Sequence, residues 1–206
     1  MIPYQHYPVT REEHDRVLND SNITDKVIGY TRTKYCESGV LISSDKRKSY
    51  EKYVAFRMDM SDGWIWSEPT IAELSDGRIA MLLRKDGSGY LWYTESVDGW
   101  KNWCETIRTN IPNPACKPKL IQLDNKIALI HVPNNSGKNV GADEERYPLE
   151  LWISGDDMKT WEYKAVLTDF PGSYHYADGF YEDGHILFTI EHNRHSILFF
   201  DVELNR

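Results

Sequence analysis

The sequence predicts an all-β chain built from repeated antiparallel units, and three observations carry that prediction. A turn pattern, Ser-x-Asp-x-x-x-polar-aromatic, occurs at 43–50, 96–103 and 154–161, with starts 53 and 58 residues apart. Self-similarity at such a period marks an array of supersecondary units. Each copy sits between two alternating apolar stretches, which is the context of a hairpin. There the Asp accepts hydrogen bonds from the turn backbone and the aromatic packs back beneath it. Aromatic residues make up 13% of the 206, with seven Trp and thirteen Tyr, a richness common in sheets.

The elements follow in order. The first 25 residues read as a loop-rich leader with a short helix near 11–18. A partial unit follows, with strands at 27–33, 39–42 and 52–58. Residues 69–75 alternate, Asp76-Gly77 turns the chain, and strands at 78–84, 90–95 and 103–109 complete a four-stranded unit. The next unit repeats the order at 119–123, 126–132, 149–153 and 161–167, interrupted by a polar excursion over 133–145. The last unit has strands at 174–181, 185–191 and 196–202 around the Asp183-Gly184 turn. The count is about three and a half four-stranded units, at about 27–60, 66–112, 116–168 and 172–206, in a single domain over 1–206.

Bulk properties narrow the function. A formal charge of −8 argues against nucleic acid as a partner. No apolar run is long enough to span a membrane, and the N-terminus shows no signal peptide. Cys36, Cys104 and Cys116 lack metal-ligand spacing, and the first and last read as buried thiols. His192 and His195 lie three apart, but no Cys or paired acid completes a metal set. No cofactor is implied.

The three turns resemble the Asp-box of the sialidase (neuraminidase) superfamily, where it joins the third and fourth strands of β-propeller blades. The family form carries Gly at the fifth position, where this chain has Arg47, Trp100 and Met158. The resemblance implies a sialidase-type propeller, six-bladed in the family, of which this chain supplies a C-terminal part. The resemblance extends beyond the turns. The family's Glu at the start of an inner strand is matched by Ser67-Glu68-Pro69, and its next Arg by Arg84, sixteen residues on. Arg146, ahead of 149–153, matches a further Arg. The nucleophilic Tyr is matched by Tyr174 or Tyr176, between which spacing does not decide, and a closing Glu by Glu191.

The chemistry explains those residue types. Sialic acid carries a carboxylate on its anomeric carbon, and planar guanidinium groups bind carboxylates bidentately. By resemblance, Arg84 and Arg146 would take that role, Glu191 would orient an Arg, and Arg194 would reach a sugar from the rim. A Tyr nucleophile avoids repulsion by the substrate's carboxylate and needs a neighbouring base, here Glu68. Each residue also has a plainer reading, as a solvent-facing charge or a packed Tyr.

The family's acid/base Asp and first triad Arg belong to N-terminal blades, and no counterpart is found here. The expected function is therefore the C-terminal part of an exo-acting hydrolase removing terminal sialic acid or a related acidic sugar, from a glycan or glycoconjugate. Its site would be incomplete without further blades or self-association. The alternatives are a non-catalytic carbohydrate-binding propeller, a hydrolase of another glycan, and an interaction scaffold.

Overall fold

The computed structural model describes residues 1–7, 10–22, 35–59, 66–134 and 146–204. Among these the chain forms fourteen strands and one nine-residue helix, arranged as four antiparallel sheets in sequence order. The first sheet contains β1 (Ile2–His6), β2 (Tyr35–Ile42) and β3 (Glu51–Asp59), with α1 (Arg11–Asn19) after β1. The second is β4 (Thr70–Glu73), β5 (Ile79–Leu83), β6 (Tyr90–Glu95) and β7 (Ile107–Pro112). The third is β8 (Lys119–Gln122), β9 (Ile127–His131), β10 (Glu150–Ser154) and β11 (Tyr163–Val166). The fourth is β12 (Tyr174–Glu182), β13 (His185–His192) and β14 (Ser196–Glu203).

The sheets stack face to face, and the burial pattern follows from that. Middle strands β5 and β9 are buried at every position because a sheet covers each of their faces. Along β5, Met81 and Leu83 pack on Cys36, Val40 and Met58 of the first sheet, while Ala80 and Leu82 face the third. Along β9, Ile127 and Leu129 face the second sheet while Ala128 and Ile130 face the fourth. Each fully buried Leu or Ile contributes about 1.5–3 kcal/mol relative to exposure, so these two strands anchor the stack.

First strands β4, β8 and β12 are neighbours. Thr70 Oγ1 accepts from the Leu120 N–H at 2.9 Å, and Lys119 pairs with Asp178 at 2.5 Å. The leader differs from the loop expected of it. Ile2–His6 forms an edge strand paired to β2, with Pro3 opposite Val40. On its outward face Glu37 is 1% exposed and receives Lys52 at 2.5 Å, with His6 and Arg57 each at 3.3 Å. Two cations and an imidazole thereby tie β1, β2 and β3 around one carboxylate. The strand expected at 27–33 and most of the polar excursion lie outside the described residues.

The three Ser-Asp turns share one bonding pattern. The carboxylates of Asp45, Asp98 and Asp156 each accept the backbone N–H four residues on, at 2.9, 2.7 and 2.8 Å. Hydrogen bonding, led by the Ser49 hydroxyl and the Thr160 N–H respectively, holds Asp45 and Asp156 at about 2. After the second turn the ladder is joined only by a Ser96–Trp103 bridge before β7 begins at Ile107, later than the 103–109 expected.

Candidate functional site

Strand direction brings the site residues to one end of the stack. Glu68 precedes β4, Arg84 follows β5, Arg146 precedes β10, and Tyr176 lies in the first half of β12. The Ser-Asp turns join outer strands at the opposite end.

Arg84 is 3% exposed and donates to Glu68 Oε2 at 2.9 Å and Asp86 Oδ1 at 3.0 Å. Its guanidinium also lies over the Trp66 ring, 5.5 Å from the centroid. Asp86 in turn accepts the Trp66 N–H at 3.1 Å. Arg146 is 4% exposed and donates to the Ala115 carbonyl at 3.2 Å and contacts His175 Nδ1. Among the described residues no carboxylate lies within ion-pair distance of Arg146. A buried guanidinium without an acid is costly unless something else supplies the anion.

Glu68 is held by the leader. Gln5 Oε1 accepts the backbone N–H groups of Ser67 and Glu68, both at 2.8 Å. Burial pushes the Glu68 carboxyl above the usual range, opposed by Arg84 and reinforced by Asp86, with smaller opposition from Lys117 and Arg146.

Tyr176 is half exposed and has φ +54 at a bulge between His175 and Asp178. Burial raises its phenol, Glu68 raises it further, and Arg84, Arg146 and Arg194 pull it down. Its oxygen therefore sits in the field of one carboxylate and three guanidiniums. Glu68 (φ +36), Ala115 (φ +57), Asn193 (φ +54) and Arg194 (φ +58) are likewise left-handed without being glycine, so five strained residues meet at this end. Tyr176, Glu191 and Arg194 line a shallow hollow of about 420 Å³ beside β13. Among the described residues no Lys, Arg or His lies within ion-pair distance of Glu191.

Tyr174 is placed elsewhere. It is fully buried in the core between the third and fourth sheets, its hydroxyl donates to the Phe170 carbonyl at 3.0 Å, and its ring stacks on His192. Of the two tyrosines left open by spacing, only Tyr176 joins the cluster. Sequence reasoning missed Asp86, Lys117 and Gln5. Asp86 lay in a stretch read as a turn and Gln5 in a stretch read as a leader, so neither carried a signal.

The comparisons with known proteins bear on this arrangement. The family described as a BNR repeat-like domain matches residues 35–187, three quarters of the chain. The chain belongs to the BNR repeat-like family. A comparison with curated proteins returns no match. Among solved structures, this BNR-family chain is similar to the Hadza microbial sialidase Hz136, with TM-score 0.66, 17% identity, and coverage of 82% of this chain and 32% of that one. It is similar to Trypanosoma rangeli sialidase in complex with 2,3-difluorosialic acid, described as a covalent intermediate, at TM-score 0.61 and 18% identity, over 80% and 26%. A third is the intramolecular trans-sialidase from Ruminococcus gnavus, in complex with oseltamivir carboxylate, at TM-score 0.54 and 22% identity, over 76% and 33%. The fold is thus a BNR-type fold like that of these sialidases, present as a partial β-propeller with open sheets. The chain spans about a quarter to a third of the length of these relatives.

Proposed function

We infer that this chain supplies the C-terminal part of the active site of an exo-acting, sialidase-like glycoside hydrolase that removes terminal sialic acid or a related acidic sugar. The observation that carries the reading is Tyr176, whose phenol lies in the field of Glu68, Arg84, Arg146 and Arg194. In this reading Arg146 receives the substrate carboxylate. It is buried, preset by Ala115 and His175, and has no acid among the described residues. Arg84 is already shared by Glu68 and Asp86, so its first role is to position Glu68 and its second to add positive potential.

Glu68, with its proton affinity raised by burial, takes the phenol proton as the Tyr176 oxygen bonds to the anomeric carbon and the aglycone oxygen leaves. Water then attacks the anomeric carbon from the other side of that bond, giving its proton to the base left when the aglycone was protonated, while Glu68 returns its proton to the departing phenolate, and the configuration is retained. The covalent intermediate named for the Trypanosoma rangeli enzyme is the species such a step forms. An acid for the leaving oxygen and a guanidinium for Glu191 would come from further blades or a second chain.

The test combines a ligand and an activated substrate. Addition of the unsaturated sialic acid glycal should raise the unfolding midpoint by mass action. Arg146→Ala should abolish that shift, and Arg146→Lys should restore little of it, since an ammonium cannot hold a carboxylate bidentately. An aryl sialoside, whose leaving group needs no acid, should be cleaved slowly by the parent and not by Tyr176→Phe. A folded protein that ignores both compounds would overturn the sialic acid reading and favour a scaffold or another sugar.

A further inference from the structure

A second hollow lies on the flank of the molecule, between the second and third sheets and beside the turn 154–161. It encloses about 480 Å³, within the size range of small-ligand sites. Glu95 pairs with Ala80, four residues before Arg84, so that wall of the hollow lies about 13 Å along the strand from Arg84, and neither Glu68 nor Tyr176 lines it. A molecule held there does not touch Glu68 or Tyr176.

The walls are aromatic and apolar. Trp161 and Trp152 meet at a tilt of 57° with centroids 6.0 Å apart, beside Tyr93 and the exposed Ile107. Their polar neighbours fall into two groups. The carboxylates are committed: Glu95 accepts from Tyr93 at 2.5 Å and from Arg78, and Asp157 from the Ser75 N–H and hydroxyl at 2.8 and 2.7 Å. The donors are not. At the matching turn Trp103 Nε1 donates to the Trp100 carbonyl at 2.9 Å, whereas the Trp161 indole N–H donates to no described residue. The Asn110 amide makes no side-chain hydrogen bond to a described residue, and neither Lys159 nor Lys164 has a carboxylate within ion-pair distance among them. Lys164 instead sits 3.6 Å from the centroid of the Trp152 ring.

An indole face with a spare N–H, a spare amide and two ammonium groups without a carboxylate, one of them resting on Trp152, describe one kind of occupant. The geometry points to an accessory, non-catalytic subsite for an acidic glycan on this flank. A pyranose stacks its C–H face on Trp161, Asn110 meets its hydroxyls, and Lys159 and Lys164 meet a carboxylate or sulfate substituent. The inference does not depend on the chemistry assigned to Tyr176.

The test uses Arg146→Ala protein, so that the candidate site is silenced, and titrates it with 3′-sialyllactose, lactose 3′-sulfate and lactose, followed by saturation-transfer NMR and calorimetry. At least one of the two acidic sugars binds, at least tenfold more tightly than lactose, and which one binds identifies the substituent. Trp161→Ala weakens that binding at least tenfold, and Lys159→Gln with Lys164→Gln brings it to the level of lactose. These lysines are exposed, so the double variant carries the test even if Trp161→Ala fails to fold. Binding of none of the three sugars, or an acidic sugar held undiminished by the double lysine variant, overturns the proposal.

Discussion

A tyrosine two residues from another on a regular strand shares its face, so Tyr174 and Tyr176 should be equivalent. The bulge after His175 and the left-handed backbone at Tyr176 break that equivalence. Tyr174 stays in the core while Tyr176 turns toward the guanidinium cluster. The contrast predicts a double dissociation. Tyr174→Phe removes one buried hydrogen bond, to the Phe170 carbonyl, and should cost about 1 kcal/mol of stability with aryl sialoside cleavage retained. Tyr176→Phe should leave the unfolding midpoint within the error of the parent and abolish cleavage. Equal losses of activity in the two variants would remove Tyr176 from its proposed role. Residue types and their order were read from the sequence, and the structure places Glu68, Arg84, Arg146 and Tyr176 at one end of the stack. The choice between tyrosines was not, because a bulge leaves no mark in an alternating apolar pattern. Gln5 was illegible for another reason: its partners, Ser67 and Glu68, are reached only through the packing of separate elements, whereas Asp86 stands two residues from Arg84 in a stretch that reads as a turn.

At the scale of the element, the turns and one middle strand carry testable energetics. The fifth turn position, Gly in the related motif, is Arg47 in the first copy and Met158 in the third, at φ +70 and +63. A non-glycine residue there costs about 1–2 kcal/mol, offset by up to about 1 kcal/mol of extra chain entropy when Gly replaces it. Arg47→Gly should therefore stabilise by up to about 1 kcal/mol in denaturant titration, and a destabilised variant would contradict the strain argument. On β9, His131 is 2% exposed, stands edge-on to Trp152, and is pushed down to about 3 by burial, with Lys164 adding to the effect. An unfolded histidine titrates near 6.5, so between about pH 6.5 and 3 only the unfolded chain binds this proton. This contribution is complete above pH 6.5 and is lost as the pH falls, by up to about 1.4 kcal/mol per unit. His131→Leu should flatten the stability profile in that window, and an unchanged slope would locate the titration elsewhere. Periodicity revealed most strands, including fully buried β5 and β9. It missed β1 because Pro3 interrupts a five-residue run, and Pro is accepted on a sheet edge, which is where the structure puts it.

The whole molecule is an arc whose two terminal faces differ in chemistry. The outward face of the first sheet is charged, with Lys52, His6 and Arg57 gathered on Glu37. On the fourth sheet the corresponding face exposes large apolar side chains among polar ones: Phe180, Ile197 and Phe199 are 56%, 76% and 67% exposed, and Asp178, Thr189, Asp201 and Glu191 share their side of the sheet. Exposed neighbours of this kind mark a surface that another surface covers. In the proposed reading the covering surface is a further blade, and Glu191 would lie at that seam. Until that seam is filled, the face should drive association of the 206-residue chain with itself. Phe199→Lys, with Ile197→Lys beside it, should lower the mean sedimentation coefficient at high concentration without lowering the unfolding midpoint, because neither side chain contributes to the core. The same pair should weaken any complementation by a separately expressed N-terminal half of a related propeller, measured as recovered cleavage of an unactivated sialoside. Association unchanged by two lysines on this face would mean that the sheet is not the surface that seeks a partner. The search for the completing blades would then move to the charged face around Glu37.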